Sequence, residues 1–121
     1  LPFGVIQVDS LGRITFYSAA ESRFSGRRPE EVLGRNFFRD VAPCTNLPAF
    51  YGRFLEGVRS GRLSDRLNFT FGFWPRPVRV DIALRDSRKA GLHWILVRPI
   101  EWLERVTGPA AIATISASAK G

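Results

Sequence analysis

Hydrophobic positions recur along this chain with two periods: every second residue near both ends, and roughly every fourth in between. Leu67, Phe69, Phe71 and Phe73 alternate with Asn68, Thr70 and Gly72. Side chains two apart share one face of an extended backbone, so this stretch predicts a strand with a buried face. Trp74-Pro75-Arg76-Pro77 breaks it. Val78, Val80, Ile82 and Leu84 then alternate with Arg79, Asp81, Ala83 and Arg85, which predicts a second strand. Trp94-Ile95-Leu96-Val97 predicts a third. Near the start, Ile6 and Val8 alternate with Val5, Gln7 and Asp9. Ser10-Leu11-Gly12-Arg13 reads as a turn, and Ile14-Thr15-Phe16-Tyr17 as the returning arm of a hairpin.

Between Ser18 and Phe38 the pattern changes to short helices punctuated by Gly26, Pro29 and Gly34. Pro29-Glu30-Glu31 suits a helix opening, with proline and acidic side chains in the first turn. Asp40 to Pro48 holds two prolines and no period, and predicts a loop. Phe50, Phe54 and Val58 define one apolar face of a helix that ends near Gly61. The order predicts an α+β fold, with helices on one face of a five-stranded antiparallel sheet. Ile100, Leu103 and Val106 fit one face of a further short helix. After Gly108 small residues take over and read as a linker or frayed end. The expected division is therefore a domain over 1–100 and a helix with linker over 101–121.

The 121 residues suit one domain, and ten Phe point to a core or pocket lined by rings. The net charge is +7, and sixteen of the 18 basic residues are Arg, scattered from Arg13 to Arg105. No basic stripe with interleaved aromatics forms, which argues against nucleic acid as a partner. Cys44 is the only cysteine, which excludes an internal disulfide and a cysteine-rich metal site. His93 is the only histidine and sits beside a strand, leaving little for acid–base catalysis. No apolar run approaches the roughly 18 residues of a membrane span, and no signal peptide is visible. A cytoplasmic setting follows as the expectation. Taken singly, Cys44 reads as a small buried hydrophobe. Glu21 reads as a solvated helix residue, Tyr17 as a strand-end core ring, Ser25 as a helix-end hydroxyl and Arg27 as a surface charge.

Taken together they read differently. The run Gly34-Arg35-Asn36-Phe37-Phe38-Arg39-Asp40-Val41-Ala42-Pro43-Cys44-Thr45, continued by Pro48-Ala49-Phe50-Tyr51-Gly52-Arg53-Phe54, resembles the pigment-attachment segment of the photoactive yellow protein family. Tyr17-Ser18-Ala19-Ala20-Glu21, followed by Ser25-Gly26-Arg27, resembles that family's phenolate-binding segment. The similarity runs without a gap from Leu1 to about Ile100. It implies a PAS fold, a blue-light photoreceptor rather than an enzyme, and 4-hydroxycinnamic acid (p-coumaric acid) held as a thioester on Cys44. It further implies that Glu21 and Tyr17 donate hydrogen bonds to the pigment, that Ser25 orients Tyr17, and that Arg27 lids the pocket. Phe37, Phe71, Phe73 and Pro75 complete the implied pocket. Isomerisation from trans to cis, proton transfer from Glu21 and local opening are the implied signal.

Three positions depart from the family pattern. Phe73 stands where a Tyr is found in its best-known members, Pro75 where Met is frequent, and Ser18 where an Asn adjoins the tyrosine. Met in that place helps the pigment re-isomerise, so Pro75 predicts slow dark recovery. The continuation beyond Ile100 resembles hybrids in which such a module precedes a phytochrome and a histidine kinase. A downstream signalling domain is thus the expected partner, and a homodimer is left open. Two rival readings remain: a PAS module for docking or dimerisation without pigment, and a sensor holding a non-covalent ligand.

Overall fold

The computed structural model describes residues 3–72 and 77–103. Five strands form one antiparallel sheet: β1 (Gly4–Asp9), β2 (Ile14–Tyr17), β3 (Ser64–Phe71), β4 (Val78–Asp86) and β5 (Leu92–Trp102). They lie in the order β2-β1-β5-β4-β3, so the two chain-terminal strands β1 and β5 pair at the centre. The two-residue period is what the sheet uses. Ile6, Val8, Leu67, Phe69, Ile82, Leu84, Ile95 and Val97 all point inward and are buried. Helices α1 (Ala19–Ser25), α2 (Pro29–Val32) and α3 (Arg53–Ser60) contribute to that same interior. Phe38, Phe50 and Phe54 are fully buried there and meet largely edge to face or tilted, the arrangement ring quadrupoles favour. The α+β class and the sheet are as the pattern predicts.

Two segments differ from expectation. Asp40 to Pro48 is wound into helical turns rather than open loop. A π-helical turn covers Phe37–Val41, a 3₁₀ turn Pro43–Thr45, and a second π-helical turn Pro48–Gly52, which leads into α3. For the first of these turns the cause lies in capping. The Asn36 carboxamide oxygen accepts from the Phe38 and Arg39 amides at 2.9 and 3.0 Å, so a segment without hydrophobic period still finds partners for its backbone. At the other end, the helix predicted from Ile100 does not begin there. Strand β5 runs on through Glu101 and Trp102, paired with Arg79 and Val78 of β4, and Arg79 bonds the Glu101 carboxylate at 2.8 Å. Ladder bonds to β4 outweigh the weak helical spacing. The remainder of that prediction, from residue 104, lies outside the described residues.

Candidate functional site

The site is assembled where the β2 hairpin arm ends. Tyr17 is the last residue of β2, and Ser18 immediately caps α1. The Ser18 hydroxyl oxygen accepts from the Glu21 amide at 3.1 Å and from the Val5 amide at 3.0 Å. One short side chain thereby starts the helix and ties it to β1. It also aims Glu21 back over Gly4. A Cβ on Gly4 would sit 2.9 and 3.0 Å from the Cβ and Cα of Glu21 and run into its carboxylate oxygen, so glycine is what makes room for the acid. Helix α1 closes at Gly26, whose positive φ of 75° suits a residue without Cβ.

Seven of the residues named from the sequence line one cavity of about 280 Å³: Tyr17, Glu21, Ser25, Arg27, Phe37, Cys44 and Phe71. Val41, Ala42 and Pro43 complete its wall, and sequence reasoning missed them. It missed Gly4 as well, for which a glycine at a strand start was the available signal. Phe73 and Pro75 lie outside the described residues. Cys44 differs from its reading as a buried hydrophobe, for it is exposed in the turn Pro43–Thr45. Thr45, fully buried, anchors that turn by donating to the Ala42 carbonyl at 2.6 Å.

The electrostatics of this cavity are those of a proton-holding site. Glu21 is 3% exposed, and burial alone pushes its carboxyl up to about 7. Its Oε1 is buried without a hydrogen-bond partner among the described residues. The Tyr17 hydroxyl lies 2.8 Å from Ser25 Oγ, which also accepts from the Arg27 amide at 3.2 Å. Burial, then the nearby Glu21 carboxylate, push the Tyr17 phenol up to about 12, against smaller opposing pulls from Ser25 and Arg27. Partial desolvation likewise pushes the Cys44 thiol up, so the resting sulfur is protonated at neutral pH. The lining thus gathers one sulfur nucleophile, two oxygen donors and ring faces around a space that holds an organic group. Among the described residues no cluster of His, Cys, Asp and Glu is arranged to bind a metal.

This fold and this cavity define a class: residues 1–104 match the family model of the PAS fold. A PAS domain of Cronobacter turicensis RpfR, solved with the ligand BDSF, superposes with a TM-score of 0.66 over 84% of this chain and 96% of its own, at 12% identity, and shares the fold alone. Nearer relatives narrow the class. Photoactive yellow protein of Rhodothalassium salexigens is 40% identical over 83% of this chain and 80% of its own length. That of Halochromatium salexigens is 41% identical over 81% of this chain and 78% of its own. The photoactive yellow protein domain of the sensor histidine kinase Ppr from Rhodospirillum centenum is 55% identical, with a TM-score of 0.79 over 81% of this chain and 86% of its own. The chain belongs to the photoactive yellow protein family, and is a photosensory PAS domain. Among the described residues no helix is long and apolar enough to cross a membrane.

Proposed function

We propose that this domain senses blue light through a 4-hydroxycinnamoyl group joined as a thioester to Cys44. The observation that carries the proposal is the pairing, in one cavity, of a cysteine with a buried acid whose Oε1 lacks a partner among the described residues. A buried polar atom without a partner costs about 1–3 kcal/mol, so its persistence favours a partner the chain does not itself supply. When bound, the group supplies a phenolate and a double bond that light isomerises from trans to cis. The chain's own residues do the rest. Glu21 keeps its proton because burial disfavours the carboxylate, and it donates that proton in a hydrogen bond at Oε1 or Oε2. Tyr17 stays a phenol throughout the physiological range and donates from its hydroxyl, which Ser25 orients. Two such donors to an anion form short, charge-assisted bonds and offset much of its desolvation cost. Phe37 and Phe71 exclude water with their rings, and Arg27 covers the opening.

Signalling then follows from where the Glu21 proton sits. Once Glu21 yields it, a carboxylate remains in a place that already resists charge. An unpaired buried charge costs several kcal/mol, comparable to the stability of a small domain. Loosening of α1 from β1 relieves it. Given the relative in a sensor histidine kinase, we take the recipient of that change to be a linked signalling domain. Slow dark recovery, expected from Pro75, belongs to the same proposal.

The test is direct. The protein mixed with an activated ester of 4-hydroxycinnamic acid should turn yellow, gain the acyl mass and bleach under blue light, while Cys44→Ala gains neither colour nor mass. An adduct that persists in Cys44→Ala, or no adduct in the parent, would overturn it.

A further inference from the structure

Strand β5 has a partner on each side along only part of its length. It pairs with β1 from Asp9–Leu92 to Gly4–Val97, and beyond Val97 it pairs with β4 alone among the described residues. That final stretch, residues 98–102, is lightly held. Its register against β4 shifts between Arg79 and Val80, where Pro99 has no N–H to give the ladder. Ile100 and Trp102 are 39% and 44% exposed, so little apolar burial fixes it. Polar bonds near the surface hold it instead: Arg98 to Asp81 at 3.0 Å, Arg79 to Glu101 at 2.8 Å, and the Leu103 amide to the Pro77 carbonyl at 2.9 Å.

The last pair of the β1–β5 ladder is also the floor beneath the acid. The space a Cβ on Gly4 would take is filled by Glu21, and the Ser18 hydroxyl ties the Glu21 amide to the amide of neighbouring Val5. A parting of α1 from β1 therefore acts first on residues 4 and 5, at the end of the ladder. A ladder opens most cheaply from an end, where the fewest bonds are lost for each residue freed. Its opposite end is clamped: His93 faces Val8 and bonds both Ser10 and Asp86. Opening that starts at Gly4 thus runs toward the exit of β5 and stops short of His93. We infer that Gly4 carries the state of Glu21 into β5: as α1 parts from β1, the Gly4–Val97 pair opens, β5 from Val97 onward is left with β4 alone, and residues 98–102 loosen. The dependence on light rests on the photosensory reading above; the mechanical link between Gly4 and β5 does not.

Amide hydrogen exchange tests the link without pigment. In the pigment-free protein, Gly4→Ala should speed exchange across residues 98–102 about tenfold more than across residues 66–69, which pair with the other edge of β4. Ser18→Ala cuts both bonds of the cap and should act in the same direction, which keeps the test open if Gly4→Ala does not fold. Gly57→Ala is the control: its methyl group would crowd Leu63 and the Arg62 carbonyl, after α3, and should leave the ratio between the two regions as in the parent. Equal acceleration of both regions by Gly4→Ala and Ser18→Ala, or a selective effect of Gly57→Ala on residues 98–102, would overturn the route. In the pigment-loaded domain, blue light should raise exchange across residues 98–102 several-fold while Val8 and His93 stay protected. A domain that bleaches with residues 98–102 as protected as in darkness would overturn it as well. If no pigment is taken up and the variants still loosen residues 98–102 selectively, the link stands and only the photosensory reading falls.

Discussion

His93, 6% exposed, has a partner for each ring nitrogen, whereas Glu21, 3% exposed, leaves Oε1 with none among the described residues. Nε2 of His93 lies 3.1 Å from Ser10 Oγ, and Nδ1 lies 3.0 Å from Asp86 Oδ1. The other Asp86 oxygen accepts from the Leu63 amide at 2.9 Å, and the imidazole meets Phe54 edge to face at 5.5 Å. Four segments are stitched through one satisfied side chain. Around Glu21 the chain makes room, through Gly4, and the described residues supply no hydrogen bond to its buried Oε1. A complete polar network specifies a core, and an incomplete one stores free energy for something else to release. The difference separates a structural burial from a functional one within the same small fold.

The largest effect expected from breaking this contrast is at Glu21. Its carboxyl titrates near 7 when folded, against 4.5 for an ordinary glutamate. The folded state holds the proton more tightly, so the stability this group contributes is complete below about pH 4.5 and is lost as pH rises through 7. Glu21→Gln in the pigment-free protein should remove that fall, gaining about 3 kcal/mol relative to the parent at about pH 8. Urea unfolding of both proteins at acid and mildly alkaline pH measures it. A parent whose stability does not decline between those two conditions would show that the acid is solvated after all.

Next in size is the glycine beneath it. Gly4→Ala places a methyl group where the Glu21 backbone and side chain already lie, so α1 and β1 must separate slightly. The expected loss is about 2 kcal/mol, as for other overpacked sites. Unfolding midpoints check it, and a neutral outcome would mean that the acid moves away at little cost. At His93 the prediction has the same sign but a different cause. His93→Phe keeps a ring against Phe54 yet leaves Ser10 and Asp86 without their shared partner, costing about 1.5 kcal/mol. Because Asp86 is partly exposed, water recovers some of the loss, which keeps this effect below that at Gly4. A gain in stability from this substitution would reverse the comparison.

How much of this was legible in the sequence follows from the range of each interaction. The sheet was, since alternation through Leu67–Phe71 and Val78–Leu84 is local and reports a buried face directly. The burial of Glu21 was not visible in its own surroundings, because it depends on an absent side chain on a neighbouring strand. Resemblance to a family supplied what periodicity does not. The Ser10–His93 bond joins residues 83 apart, beyond any pattern in a window. The helical turns around Cys44 escaped notice since local hydrogen bonds hold them rather than apolar spacing: Asn36 caps Phe37–Val41, and the Thr45 hydroxyl donates to the Ala42 carbonyl in the turn that carries Cys44. The strand through Trp102 escaped for a related reason: pairing with β4 decided it, not its own residues.

The smallest effect sharpens the contrast from within the cavity. Tyr17, unlike Glu21, does have a partner, and Ser25 is it. Burial and then the Glu21 charge push the phenol up to about 12, while the bond to Ser25 pulls it part of the way back. Ser25→Ala should therefore move the alkaline titration of Tyr17 higher still and cost about 1 kcal/mol, the net worth of one hydrogen bond. The sign of the accompanying pH effect is that of any acid whose folded pKa is raised: the stability from Tyr17 is intact below about pH 10 and falls as pH passes 12. Ultraviolet titration of the phenolate in parent and variant measures the shift. An unmoved or lowered midpoint would mean that Ser25 does not hold the Tyr17 hydroxyl. In that case both oxygen donors of the cavity, and not Glu21 alone, would stand without support from the chain.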